Sequence, residues 1–153
     1  MLVLNKAMPC VDVTIPPVSA SRPLLLVTAA ALIDADGRVL LAERPAGKNM
    51  AGLWEFPGGK VHEYETPEVA LVRELKEELG IETSPGCLTP LAFASHVYEK
   101  FHLLMPLFAC RIWQGTPHAR EGQRLAWARK EQLKNYEMPP ADVGLIEALR
   151  NLL

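Results

Sequence analysis

Gly58-Gly59-Lys60-Val61-His62-Glu63-Tyr64-Glu65-Thr66-Pro67-Glu68-Val69-Ala70-Leu71-Val72-Arg73-Glu74-Leu75-Lys76-Glu77-Glu78-Leu79-Gly80 reads as a glycine-rich loop feeding a helix with two unlike faces. Thr66 followed by Pro67 is an N-cap and first-turn pair, and Gly80 is a stop signal, so the spacing predicts a helix from about Pro67 to Leu79. At 3.6 residues per turn, Val72, Leu75 and Leu79 share one side, while Glu74, Glu77 and Glu78 fall within an arc of roughly 100°. Like charges at these spacings repel, each pair costing a few tenths of a kcal/mol on an exposed helix. A glutamate-rich helix is commonly just a solvated face, with pairs such as Arg73 to Glu77. The preceding loop argues for more. Pro57-Gly58-Gly59-Lys60 lets backbone carbonyls and amides approach a ligand closely, with Glu65 at the end of the same loop. Oxygen donors in that arrangement suit a hard cation bridging phosphate oxygens, Mg²⁺ or Mn²⁺.

Working outward, Leu24–Ile33, then Asp34-Ala35-Asp36-Gly37, then Arg38–Ala42 predicts strand, tight turn and strand, because Asp-Gly supplies the positive backbone angle of a hairpin turn. A short strand ends near Phe56. Beyond Pro85-Gly86, two β-rich segments follow at about Leu91–Tyr98 and Phe101–Trp113, then a polar loop through Gly115 and Gly122 and a strand near Leu125–Ala128. From Pro140, the apolar residues Val143, Ile146 and Leu149, with Leu145 and Leu153 nearby, fit a closing amphipathic helix. This order of segments predicts one mixed α/β domain over residues 24–153, and a chain of 153 residues is long enough to build one core. Residues 1–23, with Pro9, Pro16, Pro17 and Pro23, read as a loosely held N-terminal extension or an overlong start before Met8.

Sixteen basic against 18 acidic residues, a net charge of −2, disfavour a surface that grips a nucleic acid polymer. Cys10, Cys87 and Cys110 are odd in number and unmatched by histidines at zinc spacing, which suits reduced thiols in a cytoplasmic protein. The apolar run Leu24–Ile33 is too short to cross a bilayer, which takes about 20 residues. His62, His96, His102 and His118 form no metal-binding pair.

Gly59, five residues, Glu65, seven residues, then Arg73-Glu74-Leu75-Lys76-Glu77-Glu78-Leu79-Gly80-Ile81 resembles a complete Nudix box. The flanking Met50–Lys60, Glu121-Gly122-Gln123 and Met138-Pro139-Pro140-Ala141-Asp142 resemble MutT-type members of that superfamily, so the similarity runs from about Leu24 to the C-terminus. The resemblance implies an α/β/α sandwich with a mixed sheet. It also implies Mg²⁺, with Mn²⁺ as a substitute, held by Glu74, Glu77, Glu78, Glu121 and the Gly59 carbonyl. Carboxylates can hold a triphosphate only through such cations, which reverse the local sign and activate water as the nucleophile. Attack at the β-phosphorus, releasing a nucleoside monophosphate and pyrophosphate, is the family expectation. The base stays open among Glu77, Glu74 and Glu121, or Lys60 as the neutral amine.

By the same resemblance Arg73 orients Glu77, Glu65 holds loop to helix, and Arg44 meets the phosphates with a planar fork. Phe56 and Leu53 are candidates for the base pocket, while Trp54 and Trp127 are read as packing. Asp142 departs from the best-known MutT proteins, which carry an asparagine there. An ionised aspartate only accepts hydrogen bonds, whereas asparagine also donates. The leading expectation is a monomeric nucleoside triphosphate pyrophosphohydrolase that removes 8-oxo-dGTP and so avoids mutation. The alternatives are a CTP or 5-methyl-dCTP pyrophosphohydrolase, a dinucleotide or nucleoside-diphosphate-sugar hydrolase, and a silent nucleotide-binding module.

Overall fold

A computed structural model of the protein describes residues 22–153. The expected extension lies almost wholly outside those residues. Arg22 and Pro23 are attached to the domain: Arg22 Nε donates to the Glu99 carbonyl at 3.0 Å, and the Pro23 carbonyl accepts from His102 N at 3.0 Å.

Seven strands and two helices follow in order: β1 (Leu24–Leu32), β2 (Val39–Glu43), β3 (Trp54–Glu55), β4 (Gly58–Lys60), α1 (Pro67–Leu79), β5 (Leu88–Val97), β6 (His102–Cys110), β7 (Leu125–Ala128) and α2 (Pro140–Leu152). The strands form a mixed sheet ordered β4-β1-β6-β5, in which only β1 and β6 run parallel, and an antiparallel sheet ordered β3-β2-β7. Side-chain alternation along β1 divides the core in two. Ala30 and Leu32 pack with Leu71, Leu75 and Leu79 of α1, while Ala29 and Ala31 pack with Leu145, Ile146 and Leu149 of α2. The helices therefore cover opposite faces, as expected of an α/β/α sandwich.

Three expectations change. The turn at Asp34–Gly37 forms, with Gly37 at φ 72° and its N–H on the Asp34 carbonyl, yet only Ile33 bridges Val39 before the chain parts. β1 enters the mixed sheet and β2 the antiparallel one, because each finds a longer partner elsewhere: β1 pairs with β6 over both its ends and β2 with β7 at four positions. The strands thus make two sheets, with no regular hairpin. Val143 is 57% exposed, and Ala141 and Asp142 take its place on the buried side of α2.

The helix α1 forms where expected. Thr66 Oγ1 accepts from Val69 N at 3.3 Å, Pro67 opens the first turn, and Gly80 closes the helix in the left-handed region at φ 69°, its N–H on the Lys76 carbonyl. The aromatic residues read as packing do pack: Trp54 meets Tyr136 edge-on at 5.1 Å, and Trp127 stacks on Trp113. No helix among the described residues is long and apolar enough to cross a membrane.

Candidate active site

The carboxylate face of α1 lies against β4, and a missing side chain brings them together. A Cβ on Gly59 would collide with the Glu74 carboxylate, so only glycine leaves room for it there. Gly58 N donates to Glu78 Oε2 at 3.2 Å. Two of the three expected helix ligands are thereby tied to the glycine loop, while Glu77 lies further out, its side chain 55% exposed.

Glu121 reaches the same place through the helix terminus. The last turn of α1 leaves carbonyls without intrahelical partners. The segment after Gly115 satisfies them: His118 N donates to the Leu79 carbonyl, Arg120 N and Gln123 Nε2 to that of Glu78, and Arg120 Nη1 to that of Lys76, at 2.9–3.2 Å. That docking holds Glu121 beside the helix, near enough for its charge to raise the pKa of both Glu74 and Glu78.

Burial is the first cause of those shifts. It raises Glu74, and it carries Glu78, with help from the charges of Glu74, Glu121 and Glu55, up to about 8. Gathering carboxylates at this density is unfavourable unless positive charge joins them, and a partly buried oxygen-only donor set fits a hard divalent cation. Glu74, Glu78, Glu121 and the Gly59 carbonyl are placed to hold one, with Glu77 at the outer edge. Among the described residues no three acidic, histidine or cysteine side chains close into a finished cage. The carboxylates are turned instead onto Arg73 and the Gly58 amide.

Arg73 is the hub of that arrangement. It grips Glu65 with two parallel bonds, Nε to Oε1 at 2.7 Å and Nη2 to Oε2 at 2.9 Å, and also reaches Glu74 Oε1 at 2.8 Å and the Lys60 carbonyl at 3.1 Å. Glu77 is its most distant partner, at 3.4 Å. Arg73 therefore orients Glu65 and Glu74 more firmly than Glu77, the partner expected from the sequence. Its guanidinium and the His62 N–H hold the Glu65 carboxyl down at about 2, which keeps loop and helix locked as an ion pair. Lys60 ends β4 at the rim, exposed.

Beside β4 opens a pocket of about 350 Å³. Its walls include Val27 and Ala29 of β1, Phe56, Tyr98, Leu103 and Met105, and its polar lining residues include Arg44, Glu55 and Asp142, with Thr28, Asn49 and Lys60 also at its edge. Arg44 Nη1 donates to Glu55 Oε2 at 2.7 Å and its Nε to the Asn49 carbonyl at 2.7 Å, so its fork is anchored beside the glycine loop. Asp142, in the first turn of α2, is 5% exposed. Burial and the nearby Glu55 push its carboxyl up to about 7, against bonds donated by Phe56 N and its own N–H. Glu55 is itself raised, by burial first, despite Arg44. Leu53 lines a separate groove with Met138 and Val143, so it takes no part in this pocket.

Glu55 and Tyr98 are site residues that the sequence reading missed. A glutamate between Trp54 and Phe56 was the available signal, since a charge flanked by large apolar residues in a short strand needs a partner. Tyr98 offered none, because what brings it to the pocket is the pairing of β5 with β6.

Comparison with known proteins agrees with the geometry. The chain belongs to the NUDIX domain family, whose profile matches residues 28–148. It is accordingly a hydrolase acting on acid anhydrides of phosphorus, of a family that depends on divalent cations. A CTP pyrophosphohydrolase of Escherichia coli (strain K12) is 44% identical over 130 residues, spanning 84% of this chain and 93% of that protein. An 8-oxo-dGTP diphosphatase of Haemophilus influenzae is 35% identical over 137 residues, spanning 85% and 94%. The solution structure of the Escherichia coli ORF135 protein superposes with a TM-score of 0.75 at 39% identity, covering 88% of this chain and 94% of that one.

Proposed function

We propose that this protein is a Mg²⁺-dependent pyrophosphohydrolase of nucleoside triphosphates, acting on 8-oxo-dGTP and thereby clearing a damaged precursor before it reaches DNA. The observation that carries the reading is continuity: Gly58 and Gly59 of β4 meet Glu78 and Glu74 and also line the pocket that holds Asp142. A triphosphate laid on this cradle places its base against the Asp142 carboxyl. The 8-oxo-dGTP diphosphatase relative supports the choice of substrate.

The division of labour follows from the positions. Arg44 meets phosphate oxygens, and Gly59, Glu74, Glu77, Glu78 and Glu121 hold Mg²⁺ or its substitute Mn²⁺. The cation supplies Lewis acidity for the attacked phosphorus and the attacking water. Glu77, which with Glu121 is one of the two exposed carboxylates of the set, is best placed to take the proton from water, because it lies on the α1 face in contact with solvent while Glu74 and Glu78 are tied down. Phe56 and the apolar walls receive the base. Ionised Asp142 accepts from N1–H and N2–H of guanine or 8-oxoguanine. With a net charge of −2 the protein has no broad basic surface for a nucleic acid polymer, and on this reading it works as a monomer on free nucleotides in the cytoplasm, where Cys87 and Cys110 stay reduced.

A second reading, a CTP or 5-methyl-dCTP pyrophosphohydrolase, is favoured by the raised pKa of Asp142 and by the 44% identical relative. A protonated carboxyl donates to N3 of cytosine while accepting from its N4 amino group. The test is pyrophosphate release with Mg²⁺, comparing kcat/KM for 8-oxo-dGTP, dGTP, CTP and 5-methyl-dCTP. Preference for 8-oxo-dGTP supports the first reading, and preference for the cytosine nucleotides replaces it with the second. Glu77→Gln should keep its circular dichroism spectrum and lose turnover by about 10²-fold or more. Near-full activity in that variant would remove Glu77 from the chemistry.

A further inference from the structure

Thr28 carries a hydroxyl that the architecture does not explain. The residue is fully buried, and its Oγ1 has no hydrogen-bond partner among the described residues. Native proteins seldom leave such a group unpaired, since burying it costs stability that valine would not forfeit. Ala30 and Leu32, two and four residues on, pack under α1, so alternation puts Thr28 on the α1 side of the sheet.

Thr28 is also the cross-strand partner of Gly59. Directly opposed residues of an antiparallel pair project on the same face, with Cβ positions about 4.5–5.5 Å apart. The space a Gly59 side chain would fill is occupied by the Glu74 carboxylate. The unpaired donor and that carboxylate therefore share one small volume between β1, β4 and α1. Here Glu74 Oε1 is engaged by Arg73.

We propose that Thr28 is a positioning residue, whose hydroxyl donates to the Glu74 carboxylate when Glu74 turns from Arg73 to hold the divalent cation. The hydroxyl is kept unpaired in the free protein because its partner arrives with the metal. This rests on the reading of Glu74 as a metal ligand.

The test is Mn²⁺ binding without nucleotide, followed by electron paramagnetic resonance of the free ion, together with the Tm of the metal-free protein. Thr28→Val should have a metal-free Tm at or above that of the parent and bind Mn²⁺ about tenfold more weakly, the scale of lost outer-shell support. Thr28→Ser should bind as the parent does, and Thr28→Val should add nothing in a Glu74→Gln background. Unchanged binding in Thr28→Val, with binding weakened by Glu74→Gln, overturns the role of Thr28 alone. Unchanged binding in Glu74→Gln removes Glu74 as a ligand and the inference with it. A lowered metal-free Tm in Thr28→Val that Thr28→Ser restores shows that the hydroxyl supports the fold, and overturns the inference. Should Thr28→Val not fold, Thr28→Ala is judged by the same criteria, and failure of both to fold counts as lost stability and likewise overturns the inference.

Discussion

Asp142 shows how a single carboxyl can couple stability, recognition and pH. Burial and Glu55 raise it to about 7 in the folded protein from an ordinary value of 3.8. Both folded and unfolded chains are protonated below that ordinary value, and only the unfolded chain ionises freely between the two. The folded state then binds more protons, so this group's contribution is complete in acid and is lost as pH rises through about 7. Asp142→Asn should flatten that loss, so its Tm advantage over the parent should widen from about pH 5 to about pH 8.5 in a thermal melt series. On the proposed reading, recognition should follow the same titration. In the parent, the ratio of kcat/KM for CTP to that for 8-oxo-dGTP should fall as pH rises through about 7, whereas Asp142→Asn should show no such slope. The aspartate and its placement were legible in the sequence. Its burial was not, because Glu55 lies far earlier in the chain and comes near it only in the fold, where the adjacent Phe56 N bonds the Asp142 carboxyl.

At the level of elements, the site is a loop and a helix held at one distance. Arg73, Glu65 and the Lys60 carbonyl clamp the loop to α1, and Gly59 leaves the gap that Glu74 fills. Gly59→Ala should therefore displace Glu74, abolishing Mn²⁺ binding in the same resonance assay while the far-ultraviolet spectrum holds. The helix itself stands on local signals. Thr66→Ala removes the bond to Val69 N and should cost about 1 kcal/mol in urea unfolding, with the slope of the transition unchanged. Every one of those signals is a near neighbour in sequence, which is why the bounds of α1 were readable. The hairpin expected at Asp34–Gly37 failed for the opposite reason. Turn chemistry specifies that the chain reverses, and pairing partners far along the chain decide which sheet each strand then joins.

For the whole molecule, a cluster of partly buried carboxylates with Arg73 as its one close counter-charge destabilises the free protein. A cation that binds the folded state alone adds stability by mass action. Saturating Mg²⁺ should raise Tm by several degrees, excess chelator should reverse the gain, and Glu78→Gln should be less sensitive to both; a Tm indifferent to Mg²⁺ would dissociate these carboxylates from the ion. α1 and α2 cover opposite sheet faces, so the carboxylate face and the Asp142 pocket come from different layers, and on the proposed reading one fold presents both halves of a nucleotide site.

By itself, the sequence determined the loop–helix unit, its carboxylate face, its glycines and the family to which the chain belongs. These depend on spacings of a few residues, and helix geometry converts such spacings directly into shared faces. Tertiary structure alone decided how Glu121, expected in the cluster from the family resemblance, is docked there by the end of α1, that Glu55 and Tyr98 lie near Asp142, that Leu53 does not, and that Thr28 lies unpaired opposite Gly59. Each of those relations crosses between strands or layers. The energy that sets it is burial and cross-strand pairing summed over distant residues, which no local pattern records.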